Sequence, residues 1–243
     1  MANFSSFSNR LPDPNWGLNE AGDGHASNYT EGPGFASVKV SSMQPVATSV
    51  TNSGRVSSRT IHAHRWKISL QYNPLTRNQF EPIYNFLLEK RGKLKTFEVV
   101  LPQYNSPRTT TSGTINVKTL SPDSIAAGAT NFVVDGFGSV TGGLRPGDMF
   151  NFTDTNNSNH KKAYRVVRVL TNSDYLTGGT QPGANERIYY TVPSIEKEIK
   201  PSTTTLTYAN PTFRVMQEGD VREYSLGTNN LYTFQLNLIE AQP

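Results

Sequence analysis

The sequence predicts a mainly β fold with one flanking α-helix and a small β domain inserted into the larger one. Three observations predict it. Apolar residues alternate with polar ones along 65–72 and 97–101, the period-two signature of half-buried strands. One segment, 76–91, instead repeats its apolar residues at helical spacing. Between about 110 and 207, short apolar runs recur every dozen or so residues between Gly, Pro and Asn turns, and long amphipathic strands return only afterwards.

Taken in order, residues 1–34 hold Pro, Gly, Asn and Ser in quantity, with Phe4, Phe7, Leu11 and Trp16 spaced at no regular period. Such a stretch cannot build a core of its own. It is expected either as an extended arm anchored by its aromatics on another surface or as a floppy tail. From Phe35 the pattern turns β, with Val38 and Val40 alternating. Residues 48–59, rich in Ser and Thr with two Val, read as a long hairpin or as an ordinary exposed loop. In 65–72, Trp66, Ile68, Leu70 and Tyr72 share one face and Lys67, Ser69 and Gln71 the other. Asn73-Pro74 ends that strand.

A helix follows at once. Thr76 and Gln79 have the spacing of a capping box, and Leu75 and Phe80 that of a hydrophobic staple. Phe80, Ile83, Tyr84, Leu87 and Leu88 form the expected buried stripe, and Gly92 the expected C′ residue. Pro82 conflicts with the pattern and should kink or tighten the first turn. Phe97, Val99 and Leu101 make the next strand. A linker follows near Pro107, then six candidate strands at 114–119, 131–134, 148–152, 163–169, 187–192 and 204–208, suited to a small barrel or sandwich. After Pro211 the first style returns, ending with Tyr232, Phe234, Leu236 and Leu238 on one face. The reading is thus an arm (1–34), a discontinuous domain (35–109 plus 208–243) and an insert (110–207).

Composition bounds the chemistry. Hydrophobic residues make up 35% and charged residues 17% of the 243, with 12 Phe and 11 Tyr, so a packed core is within reach. A net charge of +4 and a pI near 9.2 are modest, and the densest basic run, 89–95, sits at the helix end, where cations complement the dipole. There is no cysteine, which removes disulfides, thiol nucleophiles and iron–sulfur clusters. The first residues lack the layout of a signal peptide, and no apolar run approaches the ~20 residues needed to span a bilayer. His62 and His64 share a strand face but want a third metal ligand, so they read as exposed strand histidines, and His160 reads as a loop tip. The glycine-rich 136–143 lacks a phosphate-loop ending and reads as a β turn region. Asp148 and Asp154 are the nearest thing to a glycosidase pair, a weak signal. No catalytic residue, metal ligand or cofactor site is assigned, and the chain is expected not to be an enzyme.

The run 66–93, from Trp66-Lys67-Ile68 through Asn73-Pro74-Leu75 to Lys90-Arg91-Gly92-Lys93, followed by 97–102, by Leu144-Arg145-Pro146-Gly147-Asp148 and by 222–240, resembles structural tail proteins of bacteriophages. These are the distal-tail, tail-hub or baseplate ring components. The resemblance spans roughly 35–105 and 208–241, and the insert loosely. It implies a tail-tube-like β-sandwich or split barrel with one flanking helix and an inserted small β-barrel or sandwich. It further implies a homo-oligomer, a hexameric ring, that joins tail tube to hub or baseplate proteins. DNA would pass through its lumen without sequence-specific binding. The chain would then be a virion protein assembled in the host cytoplasm. Contact between subunits is expected at Phe4, Phe7, Trp16, Val50 and Arg55. The competing reading is a receptor- or carbohydrate-binding β module, with the insert as its recognition domain.

Overall fold

The computed structural model describes residues 9–18, 24–25, 32–61, 63–109, 113–118, 124–136, 142–157, 159–174, 182–219 and 223–241, and of 24–25 the backbone alone. In chain order the strands are β1 (Gly17–Leu18), β2 (Gly24–His25), β3 (Phe35–Met43), β4 (Val46–Val50), β5 (Val56–Thr60) and β6 (Arg65–Tyr72). Helix α1 (Arg77–Glu89) comes next, then β7 (Phe97–Val100), β8 (Ile115–Lys118), β9 (Asn131–Asp135), β10 (Met149–Asp154), β11 (Ala163–Leu170), β12 (Arg187–Val192) and β13 (Thr204–Thr207). The chain closes with β14 (Thr212–Gln217), β15 (Ser225–Leu226), β16 (Tyr232–Thr233) and β17 (Gln235–Glu240). The predicted mainly β class with one α-helix holds. Two compact units emerge: Met1–Val46 with Ala63–Val100 and Phe213–Gln242, and Ala47–His62 with Leu101–Thr212.

The first unit is built on a five-stranded sheet in the order β3-β6-β17-β14-β7. Alternation in the sequence decides its two faces. Trp66, Ile68, Leu70 and Tyr72 of β6, Leu236 and Leu238 of β17, and Phe213 and Val215 of β14 are all buried on one side. Helix α1 covers that side with Phe80, Ile83, Phe86 and Leu87. Phe80 is the centre of the contact, stacked on Tyr232 at 4.4 Å between ring centroids and edge-on to Phe234 at 5.5 Å. Gln217 donates from Nε2 to the Leu87 carbonyl at 2.8 Å, tying the last turn of α1 to β14.

The capping box forms as predicted: Thr76 N–H donates to Gln79 Oε1 at 3.2 Å. Two helix expectations are corrected. Leu88 lies 49% exposed and Phe86 is buried in its stead, so the apolar stripe is rotated toward positions 80, 83, 86 and 90. Lys90 is buried there with its ammonium 4.5 Å from the Phe86 ring centroid, and burial lowers its pKa. The C-cap is Lys90, so the left-handed C′ position falls on Arg91 (φ 51°), with Gly92 (φ 64°) one residue later.

The second unit holds a closed six-stranded barrel, β10-β11-β12-β9-β8-β13, with every neighbouring pair antiparallel. All six strands coincide with predicted ones. The interior is filled, not hollow: Phe132, Phe150, Phe152, Tyr164 and Tyr189 interlock with Ile115, Val134, Val166 and Leu206. Tyr189 spends its hydroxyl on the Leu144 N–H at 2.8 Å, and burial pushes its pKa up to about 12. The Arg145–Asp148 turn leads into β10, with Gly147 at φ +104°.

Candidate interaction surfaces

The arm is the first candidate, and its described part lies on its own sheet. Leu11 N–H donates to the Glu98 carbonyl at 2.8 Å, and Glu98 N–H to the Asn9 carbonyl at 2.7 Å. Residues 9–11 thus add a short parallel rung to the outer edge of β7. Leu11 is 1% exposed, and the Tyr72 hydroxyl reaches the Pro12 carbonyl at 3.4 Å. Asp13 and Trp16 then exchange backbone hydrogen bonds at 3.0 and 2.9 Å, and the Arg10 guanidinium pairs with Asp13 at 2.6 Å while lying 5.1 Å over the Trp16 ring. Gly32 closes this turn: a Cβ there would come 2.4 Å from the Asp13 carbonyl oxygen. For 9–16 the arm lies on the chain's own sheet, anchored by Leu11 and a backbone rung. Trp16 is half-buried and already engaged within its own chain. Phe4 and Phe7 lie outside the described residues.

The two edges of the sheet therefore differ. At one, β7 is covered by the arm. At the other, β3 pairs with β6 on one side only and, among the described residues, with nothing on the other. It is nine residues long and mostly exposed. The sheet face turned away from α1 is polar throughout its centre. Ser69 Oγ donates to Asn237 Oδ1 at 2.8 Å, Gln235 Nε2 donates to Ser69 Oγ at 2.8 Å, and Lys67 pairs with Glu218 at 2.6 Å. Hydroxyls and amides satisfy one another there, so the face is stable in water without a covering layer.

The third candidate is the β4–β5 hairpin. The 48–59 segment is a hairpin, not a plain loop, and each residue from 46 to 61 is exposed. Its turn is closed from Thr51: Thr51 N–H donates to the Arg55 carbonyl at 3.0 Å, Gly54 N–H to the Thr51 carbonyl at 2.8 Å, and Arg55 N–H to Thr51 Oγ1 at 3.2 Å. Gly54 takes the required positive φ of 78°. The structure places Val50, 67% exposed, and Arg55 at opposite sides of this turn. Val46, Val56 and Arg59, not singled out from the sequence, stand on the same element. One signal was available for them: residues 32–80 contain no Asp or Glu.

The residues weighed for chemistry are occupied otherwise. His64 precedes β6, half-buried, with Nε2 2.9 Å from Ser42 Oγ and its ring edge-on to Trp66, which corrects the reading of an exposed strand histidine. His62 lies outside the described residues. His160 is no loop tip. It is 1% exposed, with Nε2 2.8 Å from the Tyr164 hydroxyl, which in turn accepts the Glu196 N–H at 3.0 Å. Burial, with Lys197 nearby, lowers its pKa to about 4. Asp148 accepts the Arg108 and Arg145 N–H groups, and Asp154 accepts the Asn156 N–H and the Thr203 hydroxyl. Six residues of extended chain hold the two apart by roughly 20 Å, beyond the ~5–10 Å of a glycosidase pair. No group of three or more His, Asp or Glu that could hold a metal occurs among the described residues. No helix among them is long and apolar enough to cross a membrane. Of the glycine-rich turn, 137–141 lie outside the described residues.

Comparison with known proteins gives this geometry a context. Residues 23–104, which carry β3 to β7 and α1, match the family model for the N-terminal part of the A domain of the distal tail protein pb9. The chain is also 27% identical over 160 residues to the distal tail protein pb9 of Escherichia phage T5, a match covering 65% of this chain and 68% of that protein. The resemblance read from residues 66–93 and their sequel is thereby shown: the chain is a relative of phage distal tail proteins, a structural component of the virion tail.

Proposed function

We propose that the chain is a ring-forming subunit at the distal end of a phage tail, joining the tail tube to hub or baseplate proteins around the DNA channel. The observation that carries this reading is the asymmetry of the five-stranded sheet. One edge is sealed by the chain's own arm, whereas the other, β3, is long and, among the described residues, open. Open edges of this length are a liability in a monomer and a joint in an assembly. A neighbour docked at β3 would continue the sheet, and rotation of heterologous contacts closes into a ring. The polar face, rich in hydroxyls and amides, suits the wall of a water-filled channel through which DNA slides without being read. In this reading the closed barrel is a separate inserted domain facing neighbouring components, and the chain carries no catalysis. Six copies follow the family resemblance.

The test is the assembly state of the purified full chain, alone and with the tube and hub subunits of the same phage, by light scattering and electron microscopy. Rings, alone or on those partners, are expected. A strict monomer at high concentration that joins neither partner would sink the reading.

A further inference from the structure

The turn that leads into β10 carries more positive charge than its folding requires. Arg145-Pro146-Gly147-Asp148 is closed by the Asp148 N–H on the Arg145 carbonyl at 3.0 Å, and the Gly147 N–H ties it to the Val166 carbonyl at 2.7 Å. Gly147 takes φ +104°, a conformation that favours glycine. The Cβ of any side chain there would lie 3.7 Å from Arg108 Nη1 and 3.7 Å from Arg165 Nη2. Two guanidiniums thus flank one point on the outside of the barrel, and the turn keeps that point clear of a side chain. Arg145, in the same turn, adds a third exposed guanidinium beside the exposed Arg108 and Arg165.

None of the three is neutralised locally. Among the described residues, no carboxylate pairs with Arg108, Arg145 or Arg165. Asp148, the acid of the same turn, is 4% exposed, and its oxygens accept the backbone N–H groups of Arg108 at 3.1 Å and Arg145 at 2.7 Å. Arg108 is held in place, because its Nη1 donates to the Pro146 carbonyl at 2.9 Å. The remaining N–H groups of its fork are left to a ligand. Like charges this close repel each other, and an anion seated between them turns that repulsion into attraction. Guanidinium forks match the oxygens of a phosphate in pairs. A DNA duplex instead needs cations in a row along its backbone. Of the other barrel cations, Lys118 is paired with Glu186 and Asp135, and Arg168 lies over the Tyr190 ring, so neither extends the cluster into such a row.

We infer that Arg108, Arg145 and Arg165 form a binding site for a single phosphate group over Gly147. Inorganic phosphate in solution and the phosphomonoester headgroup of a lipid share that chemistry. The site lies wholly in the second unit, so it stands whether or not the β3 edge assembles.

The experiment titrates the full chain with sodium phosphate, following the heat of binding and the melting temperature. In parallel the chain is mixed with vesicles of phosphatidylcholine, with and without phosphatidic acid. Acetate and a random-sequence DNA duplex, at matched ionic strength, are the competing probes. R108Q and R165Q remove the two flanking guanidiniums, and R77Q removes one charge from α1, in the first unit, as the control. Melting without ligand checks folding, and R165Q, at an exposed position, keeps the test open if R108Q disturbs the turn. Phosphate is expected to bind the wild type and raise its melting temperature. R108Q and R165Q are expected to weaken that binding at least about tenfold, as loss of a charge-assisted hydrogen bond does, and R77Q to bind as the wild type does. Capture by vesicles only when they contain phosphatidic acid, lost in R165Q, supports the site with a lipid headgroup as its source. Phosphate binding without vesicle capture supports it with the free ion. A wild type that gives neither heat nor a melting shift with phosphate overturns the proposal, and so does an equal loss in R77Q. Acetate binding as tightly as phosphate, or DNA binding more tightly and weakened by R165Q, assigns the arginines to another ligand and overturns it as well.

Discussion

Residues 9–18 and 46–60 are both polar stretches with a few apolar residues, and both flank strands of the same sheet in the sequence. They end in opposite states. In the first, Leu11 and Pro12 are buried, and two backbone hydrogen bonds join residues 9–11 to β7. In the second, all four large apolar residues from 46 to 61 stay exposed. The difference is one of anchoring. A single leucine at the right place, helped by a backbone rung and a close glycine, converts a tail into part of a core. Four β-branched residues on a ribbon without a second layer remain a surface. A stretch that cannot support itself is thus either completed within its own chain or left to be completed by another.

The comparison breaks first at Leu11. Leu11→Ala should cost about 2–5 kcal/mol in urea denaturation, the range for emptying a buried leucine site. A cost near zero would return the arm to the status of a tail. Next comes the barrel, where pH gives an independent handle. His160 is held neutral by burial, with its pKa lowered from 6.5 to about 4. The unfolded chain takes up the proton first as pH falls. The associated stability is whole above about pH 6.5 and drains away toward pH 4, by about 3 kcal/mol in all. His160→Leu should flatten that slope in stability measured from pH 7 to 4, and an unchanged slope would contradict the burial argument. A smaller loss, about 1–3 kcal/mol, is expected for Gln217→Leu, which leaves the Leu87 carbonyl without its donor. Smallest is the hairpin: Val50→Ala should shift the stability of the free chain by no more than about 0.5 kcal/mol. A large effect there would mean that the hairpin belongs to the chain's own core.

How much was legible in the sequence follows from the same distinction. The sheet strands and all six barrel strands were legible, because a strand buried on one face must alternate, as Trp66, Ile68, Leu70 and Tyr72 do. The helix was legible from Thr76 and Gln79, but its rotation was not. Phe86 and Leu88 lie about 200° apart around a helix, and only the packing against the sheet, where Phe86 meets Phe97 of β7 edge-on, decides which goes inward. His160 was misread because Asn-rich residues before it are turn formers; that the turn delivers an imidazole to Tyr164 is a tertiary fact. Docking of the arm was hidden for a like reason: one leucine has no period. Among the candidate contact residues, Val50 and Arg55 were singled out from the sequence of their segment, whereas the β3 edge, open among the described residues, needed the strand order, which the pattern of a single strand does not contain.

Hydrogen exchange resolved by residue, on the free chain and on the chain assembled with its tail partner, bears most directly on the claim that this molecule is built for contact. The amides of Leu11 and Glu98, which donate across the rung, should already be protected in the free chain. Those of β4 and β5 should exchange much faster than those of β6 and gain protection on assembly. Hairpin amides as protected as β6 in the free chain, and unchanged on assembly, would contradict the account.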